Sequence, residues 1–272
     1  MFDPFDSGSA AQANRIFGVV TGIVVDNQHP GGEYAVKVKF PWIRESDKEY
    51  TGGQPDPEDF FSSWARVVQL MAGKERGLFV LPEVDDEVLV AFEQGDMRRP
   101  FVIGALWNGK DEPPYDNLAQ EGKNNITTFL SRSGHCLQFV DDADGKRERI
   151  VLQTKIVPTE CTAAHTSRDG HFIVIDHSDG AEKIEIYDRH QNQYILIDST
   201  NKKITMESKD GDILLKAGQG ITLESGSGDI TIRSGEGGKF ETKSNYQMKA
   251  GGSAKQESSG NHVIKGAKVQ IN

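Results

Sequence analysis

Cysteine is scarce in this chain, which has only two, Cys136 and Cys161, among 272 residues. The two form no CxxC pair and belong to no cluster with metal-ligand spacing, so the sequence predicts neither a disulfide framework nor a metal site around them. We expect both to be free thiols that pack as small hydrophobic side chains.

Long hydrophobic runs are missing as well. No stretch approaches the roughly 18 residues of a transmembrane helix, and the amino terminus has neither the basic region nor the apolar core of a secretory signal. The sequence therefore predicts a protein made in the cytoplasm without a signal peptide. Such a protein would leave the cell by another route or inside a larger assembly.

Positive charge is in deficit, because 31 Lys and Arg stand against 41 Asp and Glu, for a formal net charge of −10. Phosphate binding needs clustered basic residues, so neither nucleic acid nor an anionic membrane surface is an expected partner. Hydrophobic residues make up 36% of the chain and the mean hydropathy is −0.52. This composition favours an elongated protein with much surface per residue.

Catalytic motifs are also absent from the sequence, which contains no GxSxG, HExxH, P-loop or dinucleotide fingerprint. The acidic pairs Asp85-Asp86 and Asp141-Asp142 are expected to be solvated turn carboxylates rather than a glycosidase pair. The string DADG at 142–145 lacks the later glutamate of an EF-hand. We therefore predict neither an enzyme nor a bound cofactor.

Short aliphatic pairs recur through 202–272, and this repeat is the most informative pattern in the chain. Successive pairs begin roughly eight to ten positions apart, and turns rich in Gly and Asx, such as 210–212 and 226–229, separate them. Each pair has the period-two alternation of a half-buried strand. The pairs are Ile204 and Met206, Ile213 and Leu215, Ile221 and Leu223, and Ile230 and Ile232.

One such repeat cannot fold alone, because two aliphatic side chains do not offset the entropy of ordering about eight residues. The repeats must stack on one another or on other chains. The simplest solution is an elongated β-helix or β-prism of several identical chains, with the aliphatic pairs along its axis. A disordered tail rich in Gly, Ser and Lys is the alternative.

Residues 15–109 are predicted to form a small barrel of the OB type, with five or six short strands and no helix. We expect Gly18 and Gly22 to break the first strand, and two further short strands to lie on either side of Pro82. The segment YAVKVKF alternates strictly, which places four side chains on one face. These four are Tyr34, Val36, Val38 and Phe40.

The rest of the chain divides by composition. Residues 1–14 are a predicted lead-in, 110–124 a linker, and 125–272 one continuous stalk with its tip at 262–272. Strands return from 125 onward, and their alternation passes smoothly into the repeats of 202–272. The alternating pairs there are Phe172 and Val174, Ile184 and Ile186, and Ile195 and Ile197.

Five phrases in 15–114 together resemble the OB-fold domain of the contractile-tail spike family, which includes phage baseplate assembly protein V, the phage central spike and VgrG. A sixth phrase, at 131–154, resembles the family's passage from barrel to β-helix. The first five phrases are RIFGVVTGIVVDN, YAVKVKFPW, WARVVQLMAG, GLFVLPEVDDEVLVAFEQGD and PFVIGALWNGKDEPP.

The resemblance implies an all-β structural protein, with an OB barrel followed by an intertwined homotrimeric β-helix. Such a spike would dock on a baseplate hub protein and meet the target membrane only by piercing it. Its tip would receive a PAAR-type cap or a cargo effector, for which Val269 and Ile271 are the candidate docking residues. Phage virions, extracellular injection particles and type VI secretion systems all fit this description.

The resemblance also bears on His262, the candidate ligand for an ion on the axis, since three chains would bring three imidazoles together. The second histidine of the family's paired motif is missing here, where residue 264 is Ile, so no metal site is predicted. The alternative functions are a β-helical enzyme that degrades polysaccharide or peptidoglycan, and a nucleic-acid-binding OB module.

Overall fold

A computed structural model describes residues 15–43, 62–115, 123–142, 147–155 and 170–270. The predicted lead-in at 1–14, most of the DADG string, Cys161 and Ile271 lie outside these residues. The chain divides into two units, Met1–Ile213 and Leu214–Asn272. Among the described residues, no helix has the length and apolar character that crossing a bilayer requires.

Within 15–43 and 62–115, the described residues of the first unit form seven strands and one 3-10 turn at Glu93–Gly95. Five of the strands close into a barrel in the order β1-β2-β3-β7-β6, and the other two form a short hairpin. All barrel neighbours are antiparallel except β3 and β7. The strands are β1 (Val19–Asp26), β2 (Ala35–Lys39), β3 (Ala65–Val67), β4 (Ala72–Gly73), β5 (Arg76–Gly77), β6 (Glu87–Phe92) and β7 (Pro100–Leu106).

The barrel encloses one apolar core, whose members come from every wall strand. The predicted alternation in β2 is visible there, because Val36, Val38 and Phe40 are buried. An all-β fold with an OB-type barrel near its start is therefore confirmed. The core consists of Val24, Val36, Val38, Phe40, Ala65, Val88, Val90, Phe92 and Val102.

Two expectations for the barrel were wrong. Gly22 lies inside β1 and does not break it. It is needed because β1 and β2 approach closely, so that a Cβ there would overlap Cγ1 of Val38 and lie 3.0 Å from the carbonyl oxygen of Lys39. Of the two strands expected around Pro82, only the later one, β6, forms, since residues 78–86 contain no strand.

The first unit continues with a seven-stranded antiparallel sheet in which each strand pairs with the next along the chain. The return of strands after residue 125 is thus observed, while the domain boundaries at 109 and 125 stay predictions. The strands are β8 (Ile126–Leu130), β9 (Cys136–Asp142), β10 (Arg147–Gln153), β11 (Phe172–Asp176), β12 (Lys183–Tyr187), β13 (Gln193–Asp198) and β14 (Lys203–Ser208).

The second unit is described from 214 to 270 and contains no strand in that range. Its chain direction changes at bends that recur about every eight residues, with segments of about six residues between them. The large apolar side chains of these segments are exposed. The bends lie at 218–219, 226–228, 235–236, 243–244, 251–252, 259–260 and 267.

Candidate assembly surface

One face of the seven-stranded sheet is apolar from edge to edge. The strand register aligns two rows of side chains on this face, with one residue from each strand in each row. We call these fourteen positions the apolar face; thirteen of them are hydrophobic. The first row is Phe129, Leu137, Leu152, Ile173, Ile186, Ile195 and Met206, and the second is Thr127, Phe139, Ile150, Ile175, Ile184, Ile197 and Ile204.

The apolar face is open to solvent in the single chain. Ten of its thirteen hydrophobic side chains are exposed, over a range from 36% at Leu137 to 73% at Ile204. The largest apolar patch on a typical monomeric protein covers roughly 300–600 Å² and is often functional. Two continuous rows of large exposed side chains therefore make this face a candidate interaction surface.

The opposite face of the sheet buries polar groups among apolar ones, and several of these polar groups are paired within the chain. The Asp176 carboxylate accepts from the Ser178 backbone N–H at 2.9 Å and pairs with Arg149 Nε at 3.0 Å. The rings of Phe172, Tyr187 and Tyr194 stack in a ladder, with centroids 5.1 and 4.8 Å apart. Because its large apolar side chains are exposed, the apolar face is the candidate assembly surface.

The predicted axial residues fall into two groups. Ile204 and Met206 lie in β14, at the ends of the second and first rows. The other six are exposed, Ile213 at the end of the first unit and five in the repeats of the second. Their axial role stays a prediction. These six are Ile213, Leu215, Ile221, Leu223, Ile230 and Ile232.

Sequence reasoning chose the wrong face of β11. It grouped Phe172 and Val174 with the later aliphatic pairs, whereas Ile173 and Ile175 lie opposite Ile186 and Ile184. The segment FIVI is apolar at four consecutive positions, so its alternation does not identify a face. The polar residue Asp176, two positions beyond Val174, is the signal that could have shown which face is polar.

The remaining predicted residues lie apart from the apolar face. Cys136 is a buried thiol on the opposite face, next to Gln138, whose Nε2 donates to the Tyr115 hydroxyl at 2.6 Å. Asp141 and Asp142 end β9 and are not turn residues, which corrects that expectation. Asp86 does lie at a turn, where its carboxylate accepts from the Glu83 N–H at 2.8 Å.

The candidates near the carboxyl terminus are exposed. His262 and Val269 lie in the last repeats of the second unit. Among the residues that the structure describes, no group of three or more His, Cys, Asp or Glu side chains could hold a metal ion in one chain. The roles of His262, Val269 and Ile271 therefore stay predictions.

Comparison with known proteins agrees with the barrel geometry. Residues 20–107 match the family described as the type VI secretion system/phage-baseplate injector OB domain. The chain is 28% identical over 140 residues to the type VI secretion system spike protein VgrG1b of Pseudomonas aeruginosa, a match that covers 50% of this chain and 18% of that protein.

Two further relatives show the same pattern. VgrG1a of P. aeruginosa, also a type VI secretion system spike protein, is 31% identical over 104 residues, which cover 38% of this chain and 15% of that protein. The actin cross-linking toxin VgrG1 of Vibrio cholerae is 30% identical over 122 residues, which cover 44% of this chain and 10% of that protein. The match thus spans less than a fifth of each of these relatives.

The closed barrel at the start of the chain is thus an injector OB domain of the kind found in type VI secretion systems and phage baseplates. The resemblance to the contractile-tail spike family is confirmed, and the chain is related to the VgrG-like spike proteins of that family.

Proposed function

We propose that this chain is a structural spike of a contractile tail or injection particle, and that it works as a homotrimer. The observation that carries the proposal is the exposed apolar face, with thirteen hydrophobic side chains in fourteen positions. In the trimer, three such sheets turn their apolar faces toward a common axis. Their opposite faces, in which the Asp176–Arg149 pair is largely buried within each chain, then lie away from the axis.

The second unit supports an intertwined continuation of this prism. Each segment of about six residues would form one extended side of the prism, roughly 20 Å long. No strand pairing is present within residues 214–270, so successive segments of one chain leave their backbone groups free. Segments of the two other chains fill these positions, which satisfies the hydrogen bonds and leaves no lateral edge.

The aliphatic pairs of the repeats then fill the axis. Ile213, Ile221 and Ile230 come from successive segments and would each meet two symmetry copies of themselves. Such layers exclude water and give the shaft lateral stiffness, because packed interiors are as dense as organic crystals. A shaft of this kind transmits the force of a contracting sheath without buckling.

The two ends of the spike have different partners in this proposal. The barrel end docks on a baseplate hub protein, and the tip at 262–272 receives a PAAR-type cap or a cargo effector on Val269 and Ile271. The assembled spike belongs to a phage virion or a contractile injection particle and reaches the target membrane by penetration. The P. aeruginosa relatives, which are named as spike proteins, support this role.

The proposed role is mechanical rather than enzymatic. Two of the relatives are named as spike proteins and one as an actin cross-linking toxin, and the match to that toxin covers 10% of its length. We therefore transfer to this chain only the spike function of the P. aeruginosa relatives, and not the activity of the toxin. An assay of the purified chain on polysaccharide and peptidoglycan is expected to give no product.

Electron microscopy of the purified full chain tests the proposal. We expect particles with three-fold symmetry that consist of a broader head and a narrow needle. Ile204→Asp in the same preparation is the matched variant, and it should abolish the needle because it introduces a carboxylate at every copy of one axial position. Compact single-chain particles from the unmodified protein would refute the spike.

A further inference from the structure

The loop between β3 and β6 carries a second exposed apolar surface. We call residues 68–81 the barrel loop; it contains the β4–β5 hairpin. Leu70 is 95% exposed and Phe79 is 80% exposed, and four more large apolar side chains of the loop are exposed beside them. These four are Val68, Met71, Leu78 and Val80.

The barrel loop is held in one conformation by bonds between its two arms. The Tyr34 hydroxyl accepts from the Val80 N–H at 2.9 Å and from Gln69 Nε2 at 2.7 Å. Gln69 Nε2 also donates to the Val80 carbonyl at 2.9 Å, and Leu78 N–H donates to the Met71 carbonyl at 2.9 Å. A surface that is ordered before binding loses less conformational entropy when it docks.

The barrel loop is continuous with the apolar face. Val80 lines one cleft of about 830 Å³ together with Phe129, Leu137 and Leu152, which begin the first row of the face. Just beyond the loop, Glu83 pairs with Arg132, in the turn between β8 and β9, at 2.6 Å. The loop and the strand ends of β8 to β10 therefore form one surface.

The area of the six exposed apolar side chains of the barrel loop indicates what kind of partner they bind. Six partly exposed side chains offer several hundred Å², which is below the roughly 1,000 Å² that a stable interface needs. The patch cannot hold a separate protein alone, but it can enlarge an interface that exists already. The apolar face, which adjoins it, is the surface that the proposed trimer uses.

We infer that the barrel loop of one copy docks on the apolar face of a neighbouring copy, at the strand ends of β8 to β10. Leu70 and Phe79 supply the apolar contact, and the bonds to Tyr34 and Gln69 hold them in place. The loop thereby joins the barrel of one chain to the sheet of the next. This inference rests on the proposed trimer and adds a specific contact between its copies.

Photo-crosslinking of the full chain tests the inference. Phe79→p-benzoylphenylalanine is introduced in an unlabelled chain, which is assembled with an excess of ¹⁵N-labelled chain that lacks the substitution. We expect most crosslinks to join the loop peptide to a ¹⁵N-labelled peptide from 126–153. The matched control is Ile103→p-benzoylphenylalanine, an exposed apolar position on β7 outside the loop, which should give no such product.

The outcomes separate the inference from the proposed function. A trimer whose loop crosslinks only to unlabelled peptides of its own chain overturns the inference and leaves the spike standing. A trimer with no crosslink from position 79 also overturns it and leaves the loop free for a different protein, such as the hub. Absence of the trimer in the unmodified chain refutes the proposed function itself.

A second variant measures the contribution of the loop. Leu70→Ser combined with Phe79→Ser changes only exposed side chains, so each chain should still fold. We expect the trimer to persist because the apolar face is intact, and its subunits to exchange at least ten-fold faster in a mass-labelled mixing experiment. An unchanged exchange rate would contradict a contact between copies at this loop.

Discussion

Ile173 lies directly opposite Ile186 in the β11–β12 pair, and the two side chains are 38% and 42% exposed on the apolar face. Full burial of an aliphatic side chain is worth about 1.5–3 kcal/mol. If thirteen such side chains are each about half exposed, covering them is worth ~10–20 kcal/mol as an upper bound. That value equals or exceeds the whole stability of a typical domain, so the proposed cover by other chains would add greatly to the stability of the sheet.

A charge on the apolar face should prevent assembly. Ile204→Asp places three carboxylates near the axis of the proposed trimer, and burying unpaired charges costs several kcal/mol for each group. We expect light scattering to find no trimer at micromolar concentration. The matched control is Thr205→Asp, on the same strand but the opposite face, which should leave the trimer intact. If light scattering gives the same oligomeric state for both variants, the assignment of Ile204 and Thr205 to different faces is contradicted.

The close approach of β1 and β2 predicts a steric effect at Gly22. Gly22→Ala adds a Cβ that meets Val38, so β1 must shift and the barrel should lose about 1–3 kcal/mol. Gly104→Ala on β7 is the control, because nothing lies within 4 Å of a Cβ at that position. Denaturant unfolding at matched protein concentration measures both. A Gly22→Ala barrel as stable as the control would show that the two strands separate without strain.

The two ion pairs of the first unit should differ in strength. Asp176 is almost fully buried beside Arg149, whereas Glu83 and Arg132 are exposed. Asp176→Asn is expected to cost about 2–4 kcal/mol because it leaves a partly buried guanidinium without its counter-charge. Glu83→Gln should change the free energy of unfolding by less than about 1 kcal/mol. Similar losses in the two variants would contradict the difference in burial.

Low pH should weaken the ion pair in the turn after β6. The Arg98 guanidinium donates to the Asp96 carboxylate at 3.0 and 2.8 Å, and these bonds, with that from the Arg98 N–H, lower the pKa of Asp96 to about 2. A lowered pKa in the folded state means that the stabilising contribution is complete above the ordinary value of 3.8 and is lost as the pH falls through about 2.

NMR titration of the Asp96 carboxyl carbon measures this value directly. We expect its midpoint to move upward, toward the ordinary value, in Arg98→Gln, because that variant removes the charged donor. The stability difference between the unmodified chain and Asp96→Asn should be constant from neutral pH to about pH 4 and should shrink below it. A midpoint near 3.8 in the unmodified chain would show that the pair does not form in solution.

The barrel was the part of the fold that the sequence predicted best. In β2, Lys37 and Lys39 separate Val36, Val38 and Phe40, so period two identifies the buried face without knowledge of the neighbours. The exposed stretch 78–80 could not be foreseen, since Phe and Val favour strands and Leu is hydrophobic. Its conformation depends on bonds to Gln69, in the other arm of the loop, and to Tyr34, which is distant from it in sequence.

The candidate surface was predicted in part. Ile204 and Met206 were recognised because turns bound their strand and polar residues flank them. Ile184, Ile186, Ile195 and Ile197 were also recognised as alternating pairs. The members of the rows in β8 to β11 were not singled out, since a continuous apolar stretch such as 172–175 leaves its face undefined until its strand partners are known. The eight-residue bends beyond 232 were also missed, because their segments carry Tyr246, Gln256 or His262 where earlier segments carry aliphatic residues.

Native mass spectrometry of the purified full chain tests the central claim most directly, which is that copies of this chain cover its apolar face. The account predicts a complex of three copies of the 30.0 kDa chain, about 90 kDa in total, at micromolar concentration and near-neutral pH. A folded particle with the mass of one chain under these conditions would contradict it.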